Sequence, residues 1–191
     1  MIERELKSLL SEDIYYHLLS KFDWNKPIDQ INHYFSDNNE VLLDKNITVR
    51  VREIDNTYAL QIKVPIGGIN ALHIKEEYEE KLTKLPSIIR SNQFNRILGI
   101  CIGDASYIGS LKTVRHIFIW NDTVQICLDQ NIYLGIVDYE LEIEFIDNVP
   151  LELIKLLIKN NVILNKKTQG KFSRFRDRKK IVYNSDNITN D

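Results

Sequence analysis

The chain is poor in the residues that staple, kink or anchor a protein. Among its 191 residues are two cysteines, four prolines, seven glycines and one methionine. Cys101 and Cys127 have neither CxxC spacing nor a disulfide framework around them. That fits a reducing cytoplasm, with each cysteine a small buried apolar residue and not a nucleophile. No apolar run approaches the ~18 residues of a membrane span, and the N-terminus lacks the hydrophobic stretch of a signal peptide. A cytoplasmic protein without a membrane partner is therefore expected. Charge of neither sign dominates: 25 basic and 27 acidic residues leave a net charge of −2, which gives no general reason for nucleic-acid binding. His17, His33, His73 and His116 have no spacing that would gather them, and read as surface or packing residues. Length and composition suit one domain over 1–180, followed by a polar tail at 181–191.

What the sequence does have is alternation. IERELK at 2–7 sets Glu3, Glu5 and Lys7 at every second position, with Ile2 and Leu6 between them; in a strand the three charges share one face. NITVRVRE puts Arg50 and Arg52 opposite Ile47, Val49 and Val51, and YALQIKVP puts Gln61 and Lys63 opposite Leu60, Ile62 and Val64. In HIKEEYEEKL a face is shared by Lys75, Glu77 and Glu79; in DYELEIEF, Glu140, Glu142 and Glu144 alternate with Leu141, Ile143 and Phe145. INHYFSD adds a strand, and SYIGSLKTVRHIFIW, carrying Arg115, pairs with DTVQICLD around Asn121-Asp122. Asp55-Asn56-Thr57 is a further hairpin signal.

Helices are expected at 12–22, capped by Ser11 with Ile14, Leu18, Leu19 and Phe22 on one face, and at 86–100, with Ile89, Phe94, Ile97 and Leu98 inward. A third, apolar helix follows Pro150. From Gly170 the chain is basic, and after Asn184 it reads as a frayed end.

Eight strands and a few helices predict an α+β, mainly β fold: an eight-stranded antiparallel barrel, closed because closure removes the edges. The helices decide which face is inside. Their apolar stripes need an apolar outer sheet surface to cover, so the charges point inward. Charges withdrawn from water must be paired or must bind something. Grouped carboxylates suit a hard cation such as Mg²⁺ or Mn²⁺, while arginine forks and lysine point charges suit phosphate. Together they describe a site for a polyphosphate chain, where a metal-activated water would hydrolyse the terminal group. The same residues would also make cross-strand salt-bridge ladders, so the pattern alone leaves both readings open.

The ordered set of motifs resembles the CYTH superfamily, the triphosphate tunnel metalloenzymes, and within it the small bacterial, YjbK-like branch. Glu3-x-Glu5-x-Lys7 resembles the ExExK signature, Arg50-x-Arg52 the paired basic strand, and Lys63 the lysine of the next strand. Lys75-x-Glu77-x-Glu79 resembles R-x-E-x-E with lysine in place of arginine, which loses a bidentate grip. Arg115, then Asp129, Gly135 and Glu140-x-Glu142, then Lys171 and Arg174 complete the match over about residues 2 to 176. The resemblance implies a tunnel-enclosing barrel and a divalent-metal-dependent hydrolase of inorganic triphosphate or a small triphosphorylated compound. It implies metal ligation by Glu3, Glu5, Asp129, Glu140 and Glu142, with Glu77, Glu79 and Glu144 adding ligands or orienting water. Glu5, Lys7 and Glu79 would act in catalysis. Lys7, Arg50, Arg52, Lys63, Lys75, Arg115, Lys171 and Arg174 would hold the phosphate chain.

The family's YFDT is Tyr34-Phe35-Ser36-Asp37 here, which leaves Asp37 without a role. A class IV-type adenylyl cyclase and a non-catalytic polyphosphate or nucleotide binder are the alternatives; monomer and homodimer both stay open.

Overall fold

A computed structural model of the chain describes residues 1–188, and side chains as far as Asn184. β1 (Ile2–Leu10) leads through α1 (Glu12–Leu19) to β2 (Ile28–Asp37), then α2 (Val41–Asp44), β3 (Thr48–Ile54), β4 (Thr57–Gly67) and β5 (Leu72–Leu82). The two-residue β6 (Ile88–Ile89) and α3 (Ser91–Leu98) precede β7 (Ala105–Asn121), β8 (Val124–Tyr133) and β9 (Ile136–Phe145). α4 (Leu151–Lys159) and α5 (Lys171–Ile188) follow.

Eight long strands run in the order β2-β3-β4-β5-β1-β9-β8-β7, and β7 pairs back onto β2, so the antiparallel barrel is closed. β6 hangs on the start of β7. The β3–β4 turn forms where Asp55 and Asn56 both take positive φ, 48° and 59°, the backbone that a two-residue hairpin of this twist needs. The Ser11 side chain accepts a hydrogen bond from the Ile14 amide and starts α1. Asp37 is structural: its carboxylate accepts from the Val41 and Leu42 amides, both at 3.0 Å, and fixes α2.

The barrel is turned inside out with respect to its apolar residues. Ile126, Leu128, Leu141 and Ile143 face outward and are covered by Tyr15 and Leu18 of α1 and Leu153 and Leu157 of α4. On the other side Phe35, Val49, Val51, Leu60 and Ile62 are covered by Phe94 of α3 and Leu42 of α2. Burying each large side chain contributes roughly 1.5–3 kcal/mol, so both clusters sit between sheet and helices, not in the lumen.

Three details differ from the expectation. The 86–100 segment gives up its first turn to β6, because Ile88 and Ile89 pair with Ser106 and Ala105. The basic tail is a helix, α5, whose Phe172 and Phe175 pack on Tyr34, Leu111 and Tyr133 and close one side of a barrel end. Cys101 is exposed, whereas Cys127 is buried. Among the described residues, no helix is long and apolar enough to cross a membrane.

Candidate active site

Alternate residues of the strands line a lumen of about 1070 Å³. From β1 come Glu3, Glu5 and Lys7; from β3, Arg50 and Arg52; from β4, Gln61 and Lys63. β5 contributes Lys75, Glu77 and Glu79, β7 Arg115, and β9 Glu142 and Glu144. Pairing register explains the assembly. Lys7 lies opposite Glu142 on β9, Glu3 opposite Lys75 on β5, and Lys63 opposite Glu77. Asp129 and Glu140 do not line the lumen. They lie in the wall, fully buried, beneath Lys171 and Arg174 of α5.

Each wall carboxylate but Glu79 is held by a cation. Lys7 bridges Glu5 and Glu142, and Lys75 reaches Glu5 at 2.5 Å. Arg115 grips Asp129 through two nitrogens at 2.8 and 2.6 Å and also bonds Glu142 and Glu144. Lys171 contacts Asp129, Glu140 and Glu142 together. Arg174 joins Glu140 to Asp138. Lys63 donates to both oxygens of Glu3 and approaches Glu77 at 3.4 Å. Glu79, at the exposed edge, accepts from the Gln61 amide at 2.7 Å.

These contacts set the titration. Burial would raise Glu5, but Lys7 and Lys75 override it and hold its pKa at about 2. Burial would likewise raise Glu142, but Lys171, Lys7 and Arg115 override it and hold its carboxyl well below the carboxylate range. Asp129 follows the same rule, with Arg115 and Lys171 prevailing.

The β3–β4 side behaves in the opposite way. Among the described residues Arg50 bonds only the neutral Gln61, and Arg52 only the neutral Asn32, at 2.8 and 3.1 Å. Among the described residues neither has a carboxylate within ion-pair distance. Burial, reinforced by Arg50 and Arg115, pushes Arg52 down to about 9. Lys63 is also lowered, by burial and then by Arg50. Buried cations without counter-ions are costly, and an anion in the lumen would relieve them.

The residue-by-residue expectation missed several lumen groups. Tyr34 is completely buried, its hydroxyl has no hydrogen-bond partner among the described residues, and it borders the cavity near Arg50, Arg52, Lys171 and Arg174. His73 faces the lumen, two residues before Lys75, although it reads as a surface or packing group. Gln61, Gln30 and Gln125 also line it. Their signal was position alone: each occupies the inward phase of its strand, where the charged neighbours stand.

The acid groups fit a hard divalent ion by their chemistry. Asp129, Glu140 and Glu142 bring carboxylate oxygens within 4.8 Å of one another. The Lys7 ammonium already sits between the carboxylates of Glu5 and Glu142, a point where an oxygen-seeking cation is stabilised.

Known proteins agree with this architecture. YjbK of Bacillus subtilis (strain 168), provisionally named a triphosphatase, is 27% identical over 188 residues, covering 94% of this chain and 96% of its own. A Bacillus halodurans protein provisionally described as an adenylate cyclase superposes with a TM-score of 0.69 at 26% identity, over 90% of this chain and 95% of that one. HpAC1 from Hippeastrum shares the fold at a TM-score of 0.69 and 21% identity, over 92% and 95% of the two chains. Residues 1–175 match the CYTH domain, and the chain belongs to the CYTH family.

Proposed function

We propose that this protein is a divalent-metal-dependent triphosphatase that removes the terminal phosphate of inorganic triphosphate or a small triphosphorylated compound. The observation that carries the reading is the unequal pairing around the lumen: the carboxylates of β1, β9 and the β8 wall behind it are held by cations, whereas Arg50 and Arg52 on β3 have, among the described residues, no ion-paired carboxylate. A phosphate chain supplies the missing negative charge. YjbK's provisional name points the same way.

Arg50 and Arg52 bind the chain, helped by Lys63 and Lys75, and the orphan Tyr34 hydroxyl donates to it. Burial raises the Tyr34 pKa, so the hydroxyl keeps its proton. Arg115 and Arg174 hold the acid wall in place. Glu3, Glu5, Asp129, Glu140 and Glu142, with Glu77 at the edge, are the groups that would hold Mg²⁺ or Mn²⁺. Bound there, the ion would neutralise the phosphate oxygens and acidify a water. Lys7 and Lys171 hold those carboxylates together, and would be free to face phosphate oxygens if an ion took over that role. Glu79 and Glu144, at the edge of the acid wall, orient the attacking water.

Adenylyl cyclisation is the second reading, favoured by the provisional description of the Bacillus halodurans protein. It requires a surface for adenine. The lumen's phenyl-type rings are Tyr34 and Phe172, and they pack on each other at 5.0 Å.

The test is release of phosphate and pyrophosphate from tripolyphosphate, thiamine triphosphate and ATP with Mg²⁺ or Mn²⁺, with Glu5→Ala alongside. Phosphate that requires both the metal and Glu5 is expected. Pyrophosphate with cyclic AMP would select the cyclase, and a folded but inert protein would select a binder.

A further inference from the structure

The lumen is electrically lopsided along its walls. Its carboxylates all come from β1, β5 and β9: Glu3, Glu5, Glu77, Glu79, Glu142 and Glu144. One opening is framed by the segment before β3, the β4–β5 connection and residues 167–173, joined by Arg176 of α5. These segments contribute no carboxylate to the lining and three cations, Lys167, Lys171 and Arg176. Lys171 already contacts three carboxylates of the acid wall. Lys167 is exposed, and Arg176 is largely covered, with 28% of its side chain accessible. Among the described residues the buried Arg176 Nε has no hydrogen-bond partner, and the Arg176 ion contact is to the adjacent Asp177 at 3.7 Å.

An arginine fork in that state is built for oxygens it does not yet hold. A thiazolium or other cation would be repelled at this opening. An adenine would find Phe172, already packed on Tyr34. A further phosphate group would meet Arg176 and Lys167, with Asp177, which touches Arg176 from outside the lining, as the acid it must displace. Resting on the triphosphatase reading, we propose that this opening is a subsite for a fourth and later phosphoryl group. Linear polyphosphate longer than three units is then the preferred substrate class. In each turnover the oxygen of water bonds to the terminal phosphorus and the bond to the bridging oxygen breaks. That electron pair stays on the shortened chain, and the proton of water leaves to solvent.

The experiment compares tripolyphosphate, tetrapolyphosphate, thiamine triphosphate and ATP on the full chain with Mg²⁺ or Mn²⁺, in the unchanged protein, Arg176→Gln and Arg176→Lys. Tetrapolyphosphate is expected to give the highest kcat/KM. Arg176→Gln should lower kcat/KM on tetrapolyphosphate about tenfold more than on tripolyphosphate, the loss of roughly one charge-assisted hydrogen bond, with partial recovery in Arg176→Lys. A preference for tripolyphosphate, thiamine triphosphate or ATP, or an equal loss on both chains, overturns the subsite. If no chain is hydrolysed, the triphosphatase reading fails by itself. The rise in Tm on binding then decides the subsite: a larger rise with tetrapolyphosphate supports it, and an equal or smaller one overturns it.

Discussion

Arg52 illustrates the conflict between binding and stability at the scale of one residue. It is largely covered, close to Arg50 and Arg115, and among the described residues its side-chain hydrogen bond goes to Asn32. Arg52→Met keeps the packing stem and removes the uncompensated charge. Unliganded Tm should rise by roughly 2–4 °C for each ~1 kcal/mol gained, while tripolyphosphate should lose its own stabilising effect; a differential scan with and without the ligand reads both. The acids work in the reverse sense. Glu5, Glu142 and Asp129 all have folded pKa values below their ordinary ones. A depressed carboxylate contributes stability that is present above its unfolded value and lost as pH falls through the folded one. Melting curves should therefore flatten above about pH 5 and shift down progressively from about pH 5 through about pH 2. The charged residues were legible because alternation puts them on one face. Tyr34 and His73 were not, since a tyrosine or histidine in the inward phase reads equally well as packing.

α5 shows what alternation cannot reveal at the scale of an element. GKFSRFRDRKK has no broad apolar stripe, so nothing in it announces a helix. It forms because Phe172 and Phe175 have a place to dock and because Lys171 and Arg174 meet buried carboxylates, and neither condition exists until the barrel closes. Gly109 on β7 makes room for that dock: it takes φ +136°, and a Cβ there would lie 2.7 Å from the Phe175 ring. Gly109→Ala should cost about 1–3 kcal/mol, and Phe175→Ala about 3–5 kcal/mol, both measured by denaturant unfolding. Phosphate release should fall with them, because α5 carries Lys171. By contrast, the Asp55-Asn56 turn and the Ser11 cap are local chemistry, and the sequence displays them fully.

For the whole molecule, the inside-out barrel was legible from a mismatch: apolar helices with nothing to cover unless the strands' aliphatic faces point outward. The eight strands and their inward charges follow from that. Partner choice does not, because it depends on register between strands far apart in sequence, as in Lys7 to Glu142 or Lys63 to Glu3. Nor could the lack of an ion-paired carboxylate at Arg50 and Arg52, among the described residues, be read without that register. Clustered acids that share a few ammonium groups should gain from a dication. At a hundred times its Kd, Mn²⁺ should stabilise the fold by about 2.7 kcal/mol, visible as a higher Tm in the protein but not in Glu5→Ala.

The central claim is that acids on one wall take metal while uncompensated arginines on another take the phosphate chain. Anomalous diffraction from crystals grown with Mn²⁺ and tripolyphosphate tests it most directly. The account predicts a manganese peak against Glu5 and Glu142, with phosphate density reaching Arg50 and Arg52. Manganese confined to the outer surface, or phosphate lying away from those arginines, would contradict it.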